Sequence, residues 1–276
     1  MNTLNTIKKS AFAALVTFIF SLSTVNAQND TMYIMKAGAI VGQYNVNTEV
    51  DSVIFYNPAI SNPTSGSFTD TRDGNTYKTV TIGNQVWMAE NLAYLPSVNM
   101  VADGSEDAAG SYYYVYGYDG TNVADAKATD NYATYGVLYN WTAAMDGEAS
   151  STTNPSGIQG VCPAGWHLPS DAEWTELTDY LGGESVAGGK LKETGTTHWS
   201  SPNAEATNET GFTALPGGYR NLDGTFGDVG YYGIWWSATE LGTNYAWIRD
   251  MLYSYGNVFR DVGNKELGFS VRCVRD

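Results

Sequence analysis

The chain has 276 residues, with 14 basic and 29 acidic side chains and a net charge of −15. A surface this acidic repels phosphate backbones and anionic headgroups, which sets nucleic acid aside as a partner. The 30 glycines, 20 tyrosines and 8 tryptophans, with little helical periodicity, suit a loop-rich extracellular β or α+β domain.

In chain order, Lys8 and Lys9 precede an apolar run from Ala11 to Leu22, and Val25-Asn26-Ala27 follows with small residues. That order predicts a secretory signal peptide over 1–27 and a mature chain from about Gln28, secreted or held at the cell surface. The run is too short to span a bilayer comfortably, so no membrane span is expected after cleavage.

Residues 28–57 hold three β-prone runs, Met32–Lys36, Ile40–Val46 and Val50–Tyr56, separated by turn-formers. They are too small for a core of their own and predict a short β segment. Residues 58–67, with Pro58 and Pro63, predict a linker to a main domain over 68–276.

The main domain opens with a hairpin, Tyr77–Ile82 and Gln85–Met88 about a Gly83-Asn84 turn. Asp103 to Ala133 is rich in Gly, Asp, Asn and Tyr and shows no clear period. Val137, Leu138, Trp141, Ala144 and Met145 recur at helical spacing. Ser170 and Glu173 form a capping box, Trp174, Leu177 and Leu181 make one apolar face, and Gly182-Gly183 ends that helix. A shorter helical piece runs through Val186 to Lys192. Ile234–Ala238, Tyr245–Arg249 and Phe269–Val274 are the clearest later strands. In the last, Phe269, Val271 and Cys273 share one face.

Several stretches, in order, resemble the Fibrobacter succinogenes major paralogous domain family. They are Asp73–Tyr77, Gln85–Leu92, Tyr135–Trp141, Cys162–Ser170, Ala214–Tyr219, Trp235–Thr239 and Gly268–Val274. The resemblance covers Asp73 to the C-terminus and implies an exported domain with a C-type-lectin-like fold. That fold is α+β, with short antiparallel sheets, two or three short helices and long loops, and the resemblance also implies that Cys162, ahead of the capped helix, is paired with Cys273 on the last strand. Two cysteines in an oxidising compartment favour pairing in any case. A bond closing about 110 residues contributes roughly 4 to 5 kcal/mol in the chain-entropy account.

Two departures limit what carries over. Lectins that hold sugar through calcium resemble one another in a Glu-Pro-Asn or Gln-Pro-Asp loop and a Trp-Asn-Asp strand, and this chain has neither. The calcium-dependent sugar mechanism is therefore not implied. The closing Gly268–Cys273 is also similar to the end of formylglycine-generating enzymes, but Trp247 to Leu267 lacks their reactive cysteines. The chain is expected not to be an enzyme.

His167 and His198 are the only histidines, and no nucleophile, metalloprotease or phosphate-loop motif occurs. His167 suits a structural role. Asp119, Asn122, Asp125 and Asp130, or Asp103, Glu106 and Asp107, offer oxygens to calcium or are solvated acidic loops. No cofactor is expected, calcium on those runs being the one alternative. Tyr112 to Tyr118 and Tyr231-Tyr232 either face a ligand or fill the core. Trp235, Trp236 and Trp247 belong to strand-like runs and suit the core.

The expected ligand surface is the Gly217–Tyr232 loop region. Arg220, Asn221 and Asp223 supply hydrogen bonds there, and Tyr231 or Tyr232 a stacking face. Alternatively, these loops cover the core and their polar groups bond each other. The function expected is a binding module for an extracellular glycan or protein. The alternative is a structural or adhesion module of a surface or fibre assembly. A hydrolase would need a pair of buried carboxylates, for which the sequence carries no signature.

Overall fold

A computed structural model describes residues 65–104 and 107–276, and the backbone of three strands before them. The chain divides into two units, 1–58 and 59–276. In the first, β1 (Thr17–Phe18), β2 (Thr31–Lys36) and β3 (Ala39–Asn45) form an antiparallel sheet in that order. The strands expected at Met32–Lys36 and Ile40–Val46 are thus present to within a residue or two. The rest of the 1–27 stretch expected as a signal peptide, the Val50–Tyr56 run and most of the expected linker lie outside the described residues.

The second unit mixes short antiparallel sheets with five helices among the described residues, an α+β arrangement. Strand β4 (Ser65–Thr69) starts inside the predicted linker and pairs with β5 (Thr76–Ile82). Strand β6 (Gln85–Met88) follows after the Gly83-Asn84 turn, with Ile82 opposite Gln85. The 103–133 stretch, which shows no clear period in sequence, contains β7 (Tyr113–Tyr114), α1 (Val123–Lys127) and the start of α2 (Asp130–Tyr135). The Asn122 and Thr129 side chains cap these two short helices. Strand β8 (Leu138–Tyr139) pairs with β7, and α3 (Trp141–Met145) continues from it.

Strand β9 (Trp166–His167) leads into α4 (Asp171–Tyr180), whose capping box is formed as expected. The Ser170 hydroxyl accepts from Glu173 N at 3.2 Å, and the Glu173 carboxylate accepts from Ser170 N at 2.9 Å. Helix α5 (Glu184–Leu191) follows, then the β10 (Tyr219–Arg220) and β11 (Phe226–Gly227) hairpin. Strands β12 (Tyr232–Leu241), β13 (Tyr245–Leu252) and β14 (Phe259–Asn264) make a three-stranded antiparallel sheet. Strand β15 (Val274–Arg275) closes a sheet of order β4-β5-β6-β15-β9.

Two apolar clusters fill the unit. One gathers Trp87, Trp174, Trp199, Phe212 and Trp235 between α4, α5 and the sheets. The other holds Tyr139, Trp141, Trp236, Phe269 and the disulfide sulfurs. Each large apolar side chain withdrawn from water contributes roughly 2 to 3 kcal/mol. Cys162 and Cys273 are bonded and fully buried, 111 residues apart in sequence.

The run from Phe269 to Val274 keeps its expected alternation, with Phe269, Val271 and Cys273 in one apolar cluster, Val274 in the other and Arg272 over the Phe212 ring of that second cluster. All six residues are buried, so both faces are covered and no solvent face exists. Only Val274 and Arg275 belong to a strand; Phe269 and Ser270 make isolated bridges to Tyr139 and Trp235. Arg272 lies wholly inside, its guanidinium donating to Asn91 Oδ1 and to the carbonyls of Phe212 and Thr213.

Candidate functional site

The register of the β12-β13-β14 sheet decides which side chains meet. Directly opposed residues share a face, and successive residues alternate. Tyr232 lies opposite Leu252, Asp250 opposite Phe259, and Ile248 opposite Asp261. Asp250, Leu252, Phe259, Asp261 and Tyr232 therefore project to one side. On the other side Arg249 and Arg260 both pair with Asp171 at the start of α4, at 2.6 and 2.8 Å, and Arg260 lies over the Trp247 ring.

The first of these two faces buries Ile234, Trp236 and Ile248 in the core and is open toward its Tyr232 and Leu252 end. A cavity of about 530 Å³ is lined by Tyr232, Asp250, Leu252, Tyr255, Asn257, Phe259 and Asp261. That volume lies within the range of small-molecule sites. The Tyr255 and Phe259 rings meet at 5.8 Å and 84°, forming a corner rather than a flat platform. Tyr255 is 53% exposed, one of the most exposed large apolar side chains described.

Asp250 is the unusual group. Burial, reinforced by the nearby charge of Asp261, pushes its carboxyl up to about 7. Its Oδ1 is buried and has no hydrogen-bond partner. An unpaired buried oxygen costs about 1 to 3 kcal/mol, so the fold holds this carboxyl at a disadvantage.

The turn that carries Tyr255 and Asn257 is clamped from behind. The Lys192 ammonium, at the end of α5, donates to the carbonyls of Ala204, Leu252 and Tyr255 at 2.9, 2.9 and 2.7 Å. Burial lowers this lysine to about 8. Gly189 N donates to Gly256 O at 2.8 Å, and a Cβ on Gly188 would stand 2.1 Å from Asn257 O. Two glycines inside a helix cost stability. At Gly188 the reason is this close approach of the turn.

Of the residues expected to bind ligand, Tyr232 alone lines this cavity. Arg220 is fully buried, donating to Val101 O and Asp103 O at 2.8 Å each and lying over the Tyr114 ring. It ties the 101–103 segment to the core and does not present its guanidinium to solvent, which corrects its assignment as a ligand contact. Asn221 Oδ1 accepts from Leu222 N, and Asp223 Oδ1 accepts from Thr225 N and Oγ1. Both bond within the β10–β11 turn. Tyr231 is exposed, with its ring edge-on to Tyr253. Of the two adjacent tyrosines only Tyr232 lines the cavity, and Tyr231 lies in the turn just before β12.

Other candidates resolve into structural roles. Tyr113 and Tyr114 are buried. Trp235 and Trp236 are fully buried, and Trp247 is half-buried beneath Arg260. His167 joins Glu173 at 2.6 Å and the C-terminal Asp276 at 2.7 Å. Burial pulls its pKa down, but the hydrogen bonds and charges of Glu173 and Asp276 outweigh that and raise it. His198 bonds Glu193.

Among the described acidic loop residues, Asp119 and Asp103 accept from the Val101 and Met100 amides, and Asp107 accepts from Ala109 N and the Tyr112 hydroxyl. Glu106 lies outside the described residues. No group of three or more His, Cys, Asp or Glu side chains among the described residues is placed to hold a metal. No described helix is long and apolar enough to cross a membrane. A second cavity of about 490 Å³ lies by Asn75, Lys78, Glu90, Lys127 and Tyr132. Its Asn75 amide and Tyr132 hydroxyl are already bonded to Asp73 and Ala93.

The family model of the Fibrobacter succinogenes major domain matches residues 80–275, and the chain belongs to that family. No curated protein and no solved structure matches the chain.

Proposed function

We propose that this member of the Fibrobacter succinogenes major domain family is a secreted or cell-surface binding module, not an enzyme. It takes an extracellular glycan or protein ligand in the cavity on the β12-β13-β14 sheet. One observation carries this reading: an open cavity walled by three aromatic rings and lined by Asp250, whose carboxyl is pushed up by burial and has one oxygen buried behind the lining without a partner. Aromatic faces supply contact area at low entropic cost, and Asp250, Asp261 and Asn257 supply oriented polar partners.

The disulfide joining the segment before α4 to the segment before the last strand supports a C-type-lectin-like arrangement. In that reading the sheet is a rigid frame and recognition proceeds without calcium. The carboxylate pair also fits general acid–base chemistry, so the test must look for turnover. Mature protein is screened against glycan and extracellular-protein arrays, and every hit is assayed for product. Saturable binding without product supports the module. Product formation that Asp250→Asn abolishes would make it an enzyme. Failure to bind, with self-association on a sizing column, would favour the structural or adhesion alternative.

A further inference from the structure

We propose that the cavity takes a protonated alkylamine, the chemistry of a lysine side chain on a basic protein partner. This rests on the cavity being the binding site, and it names the group the site selects.

Charge is the first argument. Asp250 and Asp261 both face the cavity, and its lining contains no lysine, arginine or histidine. The cations next to them in sequence, Arg249 and Arg260, are turned to the opposite face and paired with Asp171. Lys192 stands behind the turn and directs its ammonium to three backbone carbonyls. From β12, Tyr232 faces the pair, and from the turn Tyr255 does. Asp228 adds further negative charge beside Tyr232. The two carboxylates repel each other, and the cation whose charge reaches Asp250, Arg249, acts from the opposite face, so an ammonium in the cavity would relieve both.

Shape is the second. The rings of Tyr255 and Phe259 stand at 84°, and Leu252 adds an aliphatic side. A sugar ring stacks best on a flat face. A corner lined by Leu252 suits a run of methylenes ending in a cation, held over ring faces. The whole chain carries −15, which steers a basic partner toward it.

The affinity then depends on Asp250. With its carboxyl at about 7, it is mostly neutral at pH 6 and mostly ionised at pH 8. An alkylammonium keeps its charge across that window, so binding should strengthen by up to about tenfold from pH 6 to pH 8.

The experiment titrates the mature protein with Nα-acetyl-lysine methylamide, its norleucine counterpart, its Nε-acetyl form and glucosamine, by calorimetry at both pH values. The expected result is binding of the lysine probe alone, tighter at pH 8, and lost in Asp250→Asn and Asp261→Asn. Either variant suffices should the other fail to fold. Equal binding of norleucine, or preference for glucosamine, would overturn the proposal, as would lysine binding untouched by both substitutions. If Tyr255→Ala abolishes a ligand found by array while the lysine probe fails, the cavity stands as the site and this inference falls. If Tyr255→Ala leaves every ligand bound, the site itself falls.

Discussion

The Lys192 ammonium donates to the Tyr255 carbonyl at 2.7 Å, and the same nitrogen holds Leu252 and Ala204. A buried side chain at the end of α5 thereby fixes one wall of a cavity on a different sheet. Replacing Lys192 by Met removes three hydrogen bonds from carbonyls that have little water to turn to. Stability should fall by about 1 to 3 kcal/mol. Ligand affinity should fall too, because Tyr255 loses its anchor. Thermal melts and binding assays on Lys192→Met measure both effects.

Asp250→Asn should stabilise the protein at neutral pH. The folded carboxyl titrates at about 7 and the unfolded one near 3.8. Above 3.8 the unfolded state sheds its proton while the folded state keeps it. Stability therefore declines as pH rises toward 7 and levels off beyond it. The substitution removes that decline, by about 1 to 3 kcal/mol after allowance for partial solvent screening. Melting temperatures of the two proteins should coincide near pH 3.5 and diverge by pH 7.5, with the variant higher.

His167 gives the opposite pH dependence. Its pKa is raised in the fold by Glu173 and Asp276. Its contribution is fully present below the ordinary histidine value and is lost as pH rises through the folded one. His167→Gln should therefore cost more stability at pH 5 than at pH 9, by about 1 to 2 kcal/mol at the lower pH. Denaturant midpoints at the two pH values would show it.

Reduction of the Cys162–Cys273 bond, or Cys273→Ser, should lower stability by about 2 to 5 kcal/mol. The bond closes a long loop, and its sulfurs sit in the core. Non-reducing peptide mapping checks the pairing, and melts with and without reductant check the cost.

Much of the frame was legible in the sequence because its signals are local. The Gly83-Asn84 turn, the Ser170/Glu173 capping box and the Trp174–Leu181 stripe each need only a few neighbouring residues. The cavity has no such signal. Asp250, Phe259 and Asp261 come together through the pairing of β13 with β14, and β14 carries too many polar residues to stand out as a strand. Arg220 misled for a related reason. An arginine among glycines in a loop suggests solvent, but Val101 and Asp103 arrive from over a hundred residues away to cover it. Alternation along a strand let only one of Tyr231 and Tyr232 face a ligand, but it could not say which, because that depends on where β12 begins.

The most direct test of the cavity is a side-by-side measurement on two variants. The strongest ligand from the array screen is titrated against wild type, Tyr255→Ala and Asp223→Ala, with melting temperatures recorded for each. Tyr255→Ala should weaken binding by about tenfold or more at unchanged melting temperature, while Asp223→Ala binds as wild type. Full affinity in Tyr255→Ala together with loss in Asp223→Ala would contradict the account and return the site to the β10–β11 loop.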